Sequence, residues 1–375
     1  MSSIMGLVMT GGLKHKLREL ASTRSPAALP VGGRYRTIDF ILSNMVNSGI
    51  VNVGVLMQYS YRSLMDHLGL GRDWDLDRNN NGLFLLTPYI TNGNENWYKG
   101  SADAVYQNLA FLEKSNEEYV FIGQGNCMYV FDCSVLVDYF NEKNADIVIV
   151  CRNMFDLNNG ETSELGILNL DDTMKILDFE EKPERPKFNT GSLGIYFMKR
   201  KLLIKLIQES NSKGEYDFVK DVIIKNINKL NMYGYMYSGY WRSINTISMY
   251  YRANMELLNR NIYDNLFRQD MPIYTKMKDI VPAKYNSEAN VRNSIVADGC
   301  IVEGEVVDSI LFRDVRIKKG TVVKNSIVMQ GTEVNEGSEL ENVICDKNVS
   351  INNNVKLISD KNYPMVISKN EHIGF

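Results

Sequence analysis

Two short stretches hold residue types suited to chemistry. The apolar run IMGLVM at 4–9 opens onto Thr10-Gly11-Gly12-Leu13-Lys14-His15-Lys16. A glycine pair at the end of a strand lets backbone N–H groups approach a phosphate closely, and a tight turn is the plainer alternative. Lys14, His15 and Lys16 form a small basic cluster that either holds an anion or stays solvated. The second stretch, YVFIGQGNCMY at 119–129, reads as a buried strand that delivers Asn126 to the mouth of a sheet. A divalent metal at that point would call for a carboxylate, because hard cations favour charged oxygen ligands. This chain supplies a neutral amide.

The elements that would position these residues fall into two regimes. Residues 1–245 alternate strand-like runs (4–9, 51–56, 119–124, 145–150) with helix-like runs (37–47, 102–113, 201–209). That alternation predicts a mostly parallel, doubly wound α/β sheet, which binds ligands at the carboxyl ends of its strands. Residues 246–267 predict one long amphipathic helix within a connector, 246–285. In 286–375 a repeat takes over. Ile317, Val334 and Ile351 are 17 residues apart, as are Val306, Val323, Leu340 and Leu357, and again Ile310, Ile327 and Ile344. Gly320, Gly337 and Asn354 keep the same step at turns. Such a period fits a β-solenoid coil of three short strands better than helical repeats or a β-sandwich. Its open ends predict docking onto the first domain or onto another subunit.

Composition narrows the partners. The 375 residues carry a net charge of −3, with 44% hydrophobic and 23% charged residues. This is the profile of a soluble protein with no bias toward nucleic acid or acidic membranes. No stretch approaches the roughly 20 apolar residues of a membrane span. The five scattered cysteines lack a CxxC pair, which predicts buried free thiols and a cytoplasmic setting. Gly69 to Asp77 resembles a calcium loop only superficially and reads as a surface loop.

Longer motifs carry a resemblance. GGRYRTIDFILSNMVNSGI (32–50), ENWYKGSADAVYQN (95–108), LGILNLDD (165–172), DFEEKP (178–183), SLGIY (192–196) and YWRSINT (240–246), followed by the coils, span nearly the whole chain. In these the sequence resembles the bacterial ADP-glucose pyrophosphorylases, or glucose-1-phosphate adenylyltransferases. The resemblance implies a Rossmann-like nucleotidyltransferase domain, mixed but mostly parallel, followed by a left-handed parallel β-helix. It also implies a reaction joining ATP and glucose 1-phosphate, with Mg²⁺ clamping the phosphates.

Matched position by position, the resemblance divides the site. The sugar-phosphate contacts fall on Tyr98, Gly166, Glu181, Lys182 and Ser192, and all are present. Gly11, Gly12 and Asp103 match on the nucleotide side, and Arg34 falls where the family has a basic residue implicated in binding anionic activators. Four catalytic positions depart from the pattern. Lys16 stands in place of a phosphate-binding arginine and cannot offer its planar fork. Pro26 stands in place of a lysine, while Asn126 and Ser243 replace the two metal-binding aspartates. Lys14 replaces a glycine of the phosphate loop, and the tail ends KNEHIGF, short of the family's C-terminal basic activator residues.

This sorting is the look of the family's non-catalytic or weakly catalytic regulatory subunits, the GlgD type, which pair with catalytic GlgC-type subunits. The expectation is a heterotetramer in glycogen synthesis, with no tightly bound cofactor or metal of its own and Mg²⁺ used by the partner. Glucose 1-phosphate or an anionic effector is the expected small ligand. A working adenylyltransferase whose metal is recruited by Asp103, Asp217 or Asp221 is the alternative. An acyltransferase of the solenoid type would need a histidine in the coils, and the only one beyond His67 is His372 near the C-terminus.

Overall fold

The computed structural model describes residues 3–11, 14–88, 97–154 and 163–374, with Lys14 and His15 as backbone only. In chain order the first domain builds β1 (Ile4–Met9), α1 (Thr37–Asn47), β2 (Asn52–Leu56), β3 (Gly82–Leu86), α2 (Ser101–Gln107), α3 (Leu109–Lys114), β4 (Tyr119–Gln124) and β5 (Cys127–Tyr129). It continues with β6 (Ile147–Asn153), β7 (Gly166–Leu170), β8 (Ile176–Glu181), β9 (Thr190–Lys199), α4 (Arg200–Ser212), β10 (Met232–Met236) and β11 (Trp241–Ser243).

The main sheet runs β8-β7-β9-β4-β1-β2-β3, with β6 paired to β9 and β10 to β6. β1 lies parallel between β4 and β2, with Val8 opposite both Gly123 and Val55. Helices cover both faces, so β1 and β4 are apolar at nearly every position. The pleat sends Val8 and Phe121 to a core shared with Ile38, Ile41 and Met45 of α1. It sends Met5, Leu7, Val120 and Ile122 to a second core shared with Val105, Leu112 and Leu203. β9 runs antiparallel to β4, β6 and β7, as β8 does to β7, and β9 bulges between Ser192 and Ile195 against β6. Gly194 sits in that bulge at φ +70, where a side chain would be strained.

The expected helix at 102–113 is interrupted at Asn108. Its side-chain amide donates to the Ala104 carbonyl and to the Tyr98 hydroxyl, both at 2.8 Å, and the chain restarts as α3. The single helix expected at 246–267 is likewise two: α5 (Ile247–Glu256) and α6 (Arg260–Leu266). Asn259 caps the second by accepting from the N–H groups of Asn261 and Ile262. A cap that satisfies orphan helix donors outweighed the continuous apolar pattern. The 69–77 stretch is anchored rather than free: Trp74 is buried in the core, and Asp73 accepts from the Met277 N–H at 3.0 Å.

After Pro282 the chain winds as a left-handed parallel β-helix with three ladders of short parallel strands. Val306, Val323, Leu340 and Leu357 stack in one ladder. Ile310, Ile327 and Ile344 stack in another, and Ile317, Val334 and Ile351 in the third. The turn positions Gly320, Gly337 and Asn354 have φ of 69°, 69° and 58°, the left-handed region that glycine and asparagine tolerate. The solenoid docks as expected: Ile310, Phe312, Ile327, Met329 and Ile344 share a core with Tyr250, Tyr251 and Ala253 of α5 and with Phe40 of α1. Among the described residues, no helix is long and apolar enough to cross a membrane, and all five cysteines are free and buried.

Candidate functional site

At the carboxyl ends of β1 and β4 lies a cleft of about 500 Å³. Strand β1 ends at its floor: the Thr10 hydroxyl donates to the Leu56 carbonyl at 2.6 Å, and the Gly125 N–H donates to the Met9 carbonyl at 2.9 Å. These bonds hold Gly11 and the 125–127 turn side by side. Gly11, Tyr98, Asn126, Gly166, Glu181, Lys182, Ser192 and Ser243 all line this one cleft.

The half expected to take a sugar phosphate is built by β7, β8 and the β9 bulge. Gly166 faces Glu181 across the β7–β8 pair, and a Cβ on Gly166 would overlap the Phe179 ring. Lys182 follows at φ +50, a left-handed conformation rare for lysine and common where a site dictates the backbone. Its ammonium lies 3.7 Å from Glu181. Burial pushes the Glu181 carboxyl above its ordinary range, and Lys182 partly offsets this. Ser192 accepts from the Gly194 N–H at 3.3 Å within the bulge. Tyr98 is held by Asn108 on one side and by its own hydroxyl, which donates to the Leu86 carbonyl at 3.3 Å. The result is the Lys182 ammonium, the Glu181 carboxylate with Asp217 on the same side, and the Tyr98 and Ser192 hydroxyls around an open space.

In the other half the floor is neutral at positions 126 and 243. β5 and β11 pair antiparallel with Cys127 opposite Ser243, which brings the 126 and 243 positions together. The Asn126 amide donates to the Ile244 carbonyl at 3.3 Å and to the Asn245 side chain at 2.9 Å. Asn245 in turn donates to the Ser243 hydroxyl at 3.4 Å. Asn245 also lines the cleft and had no signal in the sequence beyond its place two residues after Ser243. This donor set does not fit Mg²⁺, which needs hard anionic oxygens to replace tightly held water. Among the described residues, no group of three or more His, Cys, Asp or Glu side chains is placed to hold a metal.

Several expected site residues lie elsewhere. Asp103 does not itself line the cleft, although Lys99, Gly100, Ser101 and Ala104 around it do. It is buried in the first turn of α2, accepting from the Lys99 N–H and from Gln107, both at 2.8 Å. Asp221 accepts from the Asp217 N–H and pairs with Lys225 at 2.9 Å, away from the cleft. Asp217 does line the cleft, on the Glu181 side, while capping Lys220. Pro26 starts a buried turn, Pro26–Ala28, behind the floor. Lys16 forms an ion pair with Glu164. Gly12 lies outside the described residues, as do the side chains of Lys14 and His15.

Arg34 belongs to a second crevice of about 180 Å³, between the first domain and the β-helix. Its guanidinium donates to the Tyr35 hydroxyl at 3.2 Å rather than capping a carboxylate. Arg36, Lys276, Lys278, Arg313 and Lys347 line the same crevice. Burial lowers the Arg36 pKa to about 10 and that of Lys347 to about 7. Sequence reading found Arg34 alone: Arg36 stands two residues on without a signal of its own, Lys276 and Lys278 come from the linker, and Arg313 and Lys347 come from separate coils.

A strand-end cleft beside a glycine-bearing turn, with a hexapeptide-type solenoid docked behind it, defines a nucleotidyltransferase-type protein. A nucleotidyl transferase family model matches residues 5–260, and a GlmU-like C-terminal hexapeptide model matches 278–363. The chain is 42% identical over 328 residues to a glucose-1-phosphate adenylyltransferase of Thermotoga neapolitana, covering 86% of this chain and 77% of that one. It is 40% identical over 323 residues to that of Geobacillus stearothermophilus (85% and 83% covered). Against that of Fervidobacterium nodosum it is 37% identical over 359 residues (95% and 86%). The chain therefore belongs to the glucose-1-phosphate adenylyltransferase, or ADP-glucose pyrophosphorylase, family.

Proposed function

We propose that the chain is a regulatory, non-catalytic or weakly catalytic subunit that joins a catalytic family member in a hetero-oligomer and alters its turnover. The observation that carries this reading is the joined pair Asn126 and Ser243, two neutral side chains hydrogen-bonded through Asn245 at the strand-end floor. A floor without charge leaves a nucleoside triphosphate with nothing to hold a compensating cation. The intact cluster of Glu181, Lys182, Ser192 and Tyr98 supports glucose 1-phosphate as the retained ligand. The crevice with Arg34 supports an anionic effector. A ligand at either place would act on the partner through its different affinity for two subunit arrangements.

The printed names of the relatives favour a second reading, a working glucose-1-phosphate adenylyltransferase with rearranged metal ligands. Asp217 is the remaining carboxylate of the three candidates that reaches the cleft. One assay separates the two. On the regulatory reading, the purified chain alone turns over at a small fraction of the rate of the mixed complex, and co-expression with a catalytic homologue yields one larger species with changed kinetics. Turnover by the chain alone at an ordinary family rate, abolished by a chelator, overturns it.

A further inference from the structure

The cleft contains one buried charge that neither half explains. Glu164, just before β7, lines the cleft and is 6% exposed. One carboxylate oxygen takes the Lys16 ammonium from the single turn Lys14–Leu17 that follows the β1 loop. The other, Oε2, is buried without a hydrogen-bond partner. A buried carboxylate oxygen left unpaired is costly, so its presence at a ligand cleft calls for a reason.

From this geometry we infer that Glu164 sets the ligand specificity of the cleft by excluding nucleotide polyphosphate, an inference that rests on the regulatory reading. Lys16 is the described basic side chain nearest in sequence to the β1 turn, and Glu164 already neutralises it. A polyphosphate entering beside Gly11 must compete with Glu164 for that ammonium. It must also lie against the free oxygen of a buried carboxylate, over a floor that supplies no charge at Asn126 or Ser243. Like charges that close in a poorly solvated site repel strongly. Lys182 is not tied to Glu164; its contact with Glu181 is looser, at 3.7 Å, and its partly exposed ammonium remains within reach of a sugar monophosphate. The Lys16–Glu164 pair is thus a strap across the nucleotide half that leaves the sugar-phosphate half accessible.

Calorimetric titration of the full chain with ATP, with and without magnesium, and separately with glucose 1-phosphate, tests this. Glu164→Gln keeps the shape and removes the charge; it is expected to tighten ATP binding at least tenfold while changing glucose 1-phosphate affinity less than threefold. Adding Lys16→Met to Glu164→Gln is expected to erase most of the gain, since the freed ammonium is its source. If Glu164→Gln destabilises the fold, Glu164→Ala checked by thermal melting serves in its place. Unchanged ATP affinity in the folded variants, or equal tightening for both ligands, overturns the role of Glu164. The regulatory reading fails separately, by turnover of the unaltered chain.

Discussion

Each residue of the cleft works through the state of its nearest partners. Lys182 has a carboxylate 3.7 Å away and a left-handed backbone that aims it, so its removal should be felt at once by a phosphate. A charge-assisted contact is worth roughly 1.5–3 kcal/mol, so Lys182→Ala should weaken glucose 1-phosphate binding about 10- to 100-fold by calorimetry, with the melting temperature little changed. Restoring charge at the floor is the converse experiment. The combined variant Asn126→Asp, Ser243→Asp, Lys16→Arg should raise adenylyltransferase turnover substantially with Mg²⁺ present; no gain would place the block elsewhere in the site. Notice of these positions was present in the sequence, because each side chain could be compared with a motif. It offered none of Asn245 or Glu164, whose roles come from what lies beside them in space.

Elements determine which of those side chains meet. The β9 bulge turns Ser192 into the cleft and depends on Gly194 at φ +70, where an added Cβ would also meet Gln124 at 3.0 Å. Left-handed backbone costs an ordinary residue roughly 1–2 kcal/mol. Gly194→Ala should therefore destabilise the domain by about that much in urea titration and weaken sugar-phosphate binding as well. Strands β1 and β4 and helix α1 were legible because their apolar residues recur with the period of the element. The breaks at Asn108 and at 257–259 were not, because side-chain amides bonding to nearby backbone override an apolar pattern that continues past them. Asp103 illustrates the same point: it belongs to a family motif, yet its carboxylate is buried and accepts from the Lys99 N–H and the Gln107 amide beside it in the chain.

At the scale of the molecule, one buried ion pair joins the two domains. The Arg24 guanidinium donates to both carboxylate oxygens of Asp346 at 2.7 and 2.8 Å, with both side chains buried. Breaking such a pair strands a charge, at a cost of about 3–5 kcal/mol. Asp346→Asn should lower stability by that order, and the double change Arg24→Met, Asp346→Leu should recover much of it. Next to this pair, burial chiefly and then Arg36 and Arg24 hold the Lys347 pKa at about 7, below the ordinary value of about 10.4. The unfolded chain binds this proton between those values and the folded chain does not. Stability attributable to Lys347 therefore falls as pH drops from about 10 to about 7 and is level below that. Lys347→Met should flatten that slope in melting experiments across the range, and an unchanged slope would refute the assignment.

By itself the sequence determined the α/β order of the first domain, the 17-residue coil and most of the motif residues that line the cleft. Periodicity and motif identity are local properties that survive without coordinates. Only the tertiary structure decided that Asn126 and Ser243 share one hydrogen-bonded floor, that Lys16 is tied to Glu164 across 148 residues, and that Arg34 joins cations from the linker and the coils in one crevice. Those are meetings of residues far apart in the chain. Strand pairing and domain docking create them, and no local pattern encodes which partners will face each other.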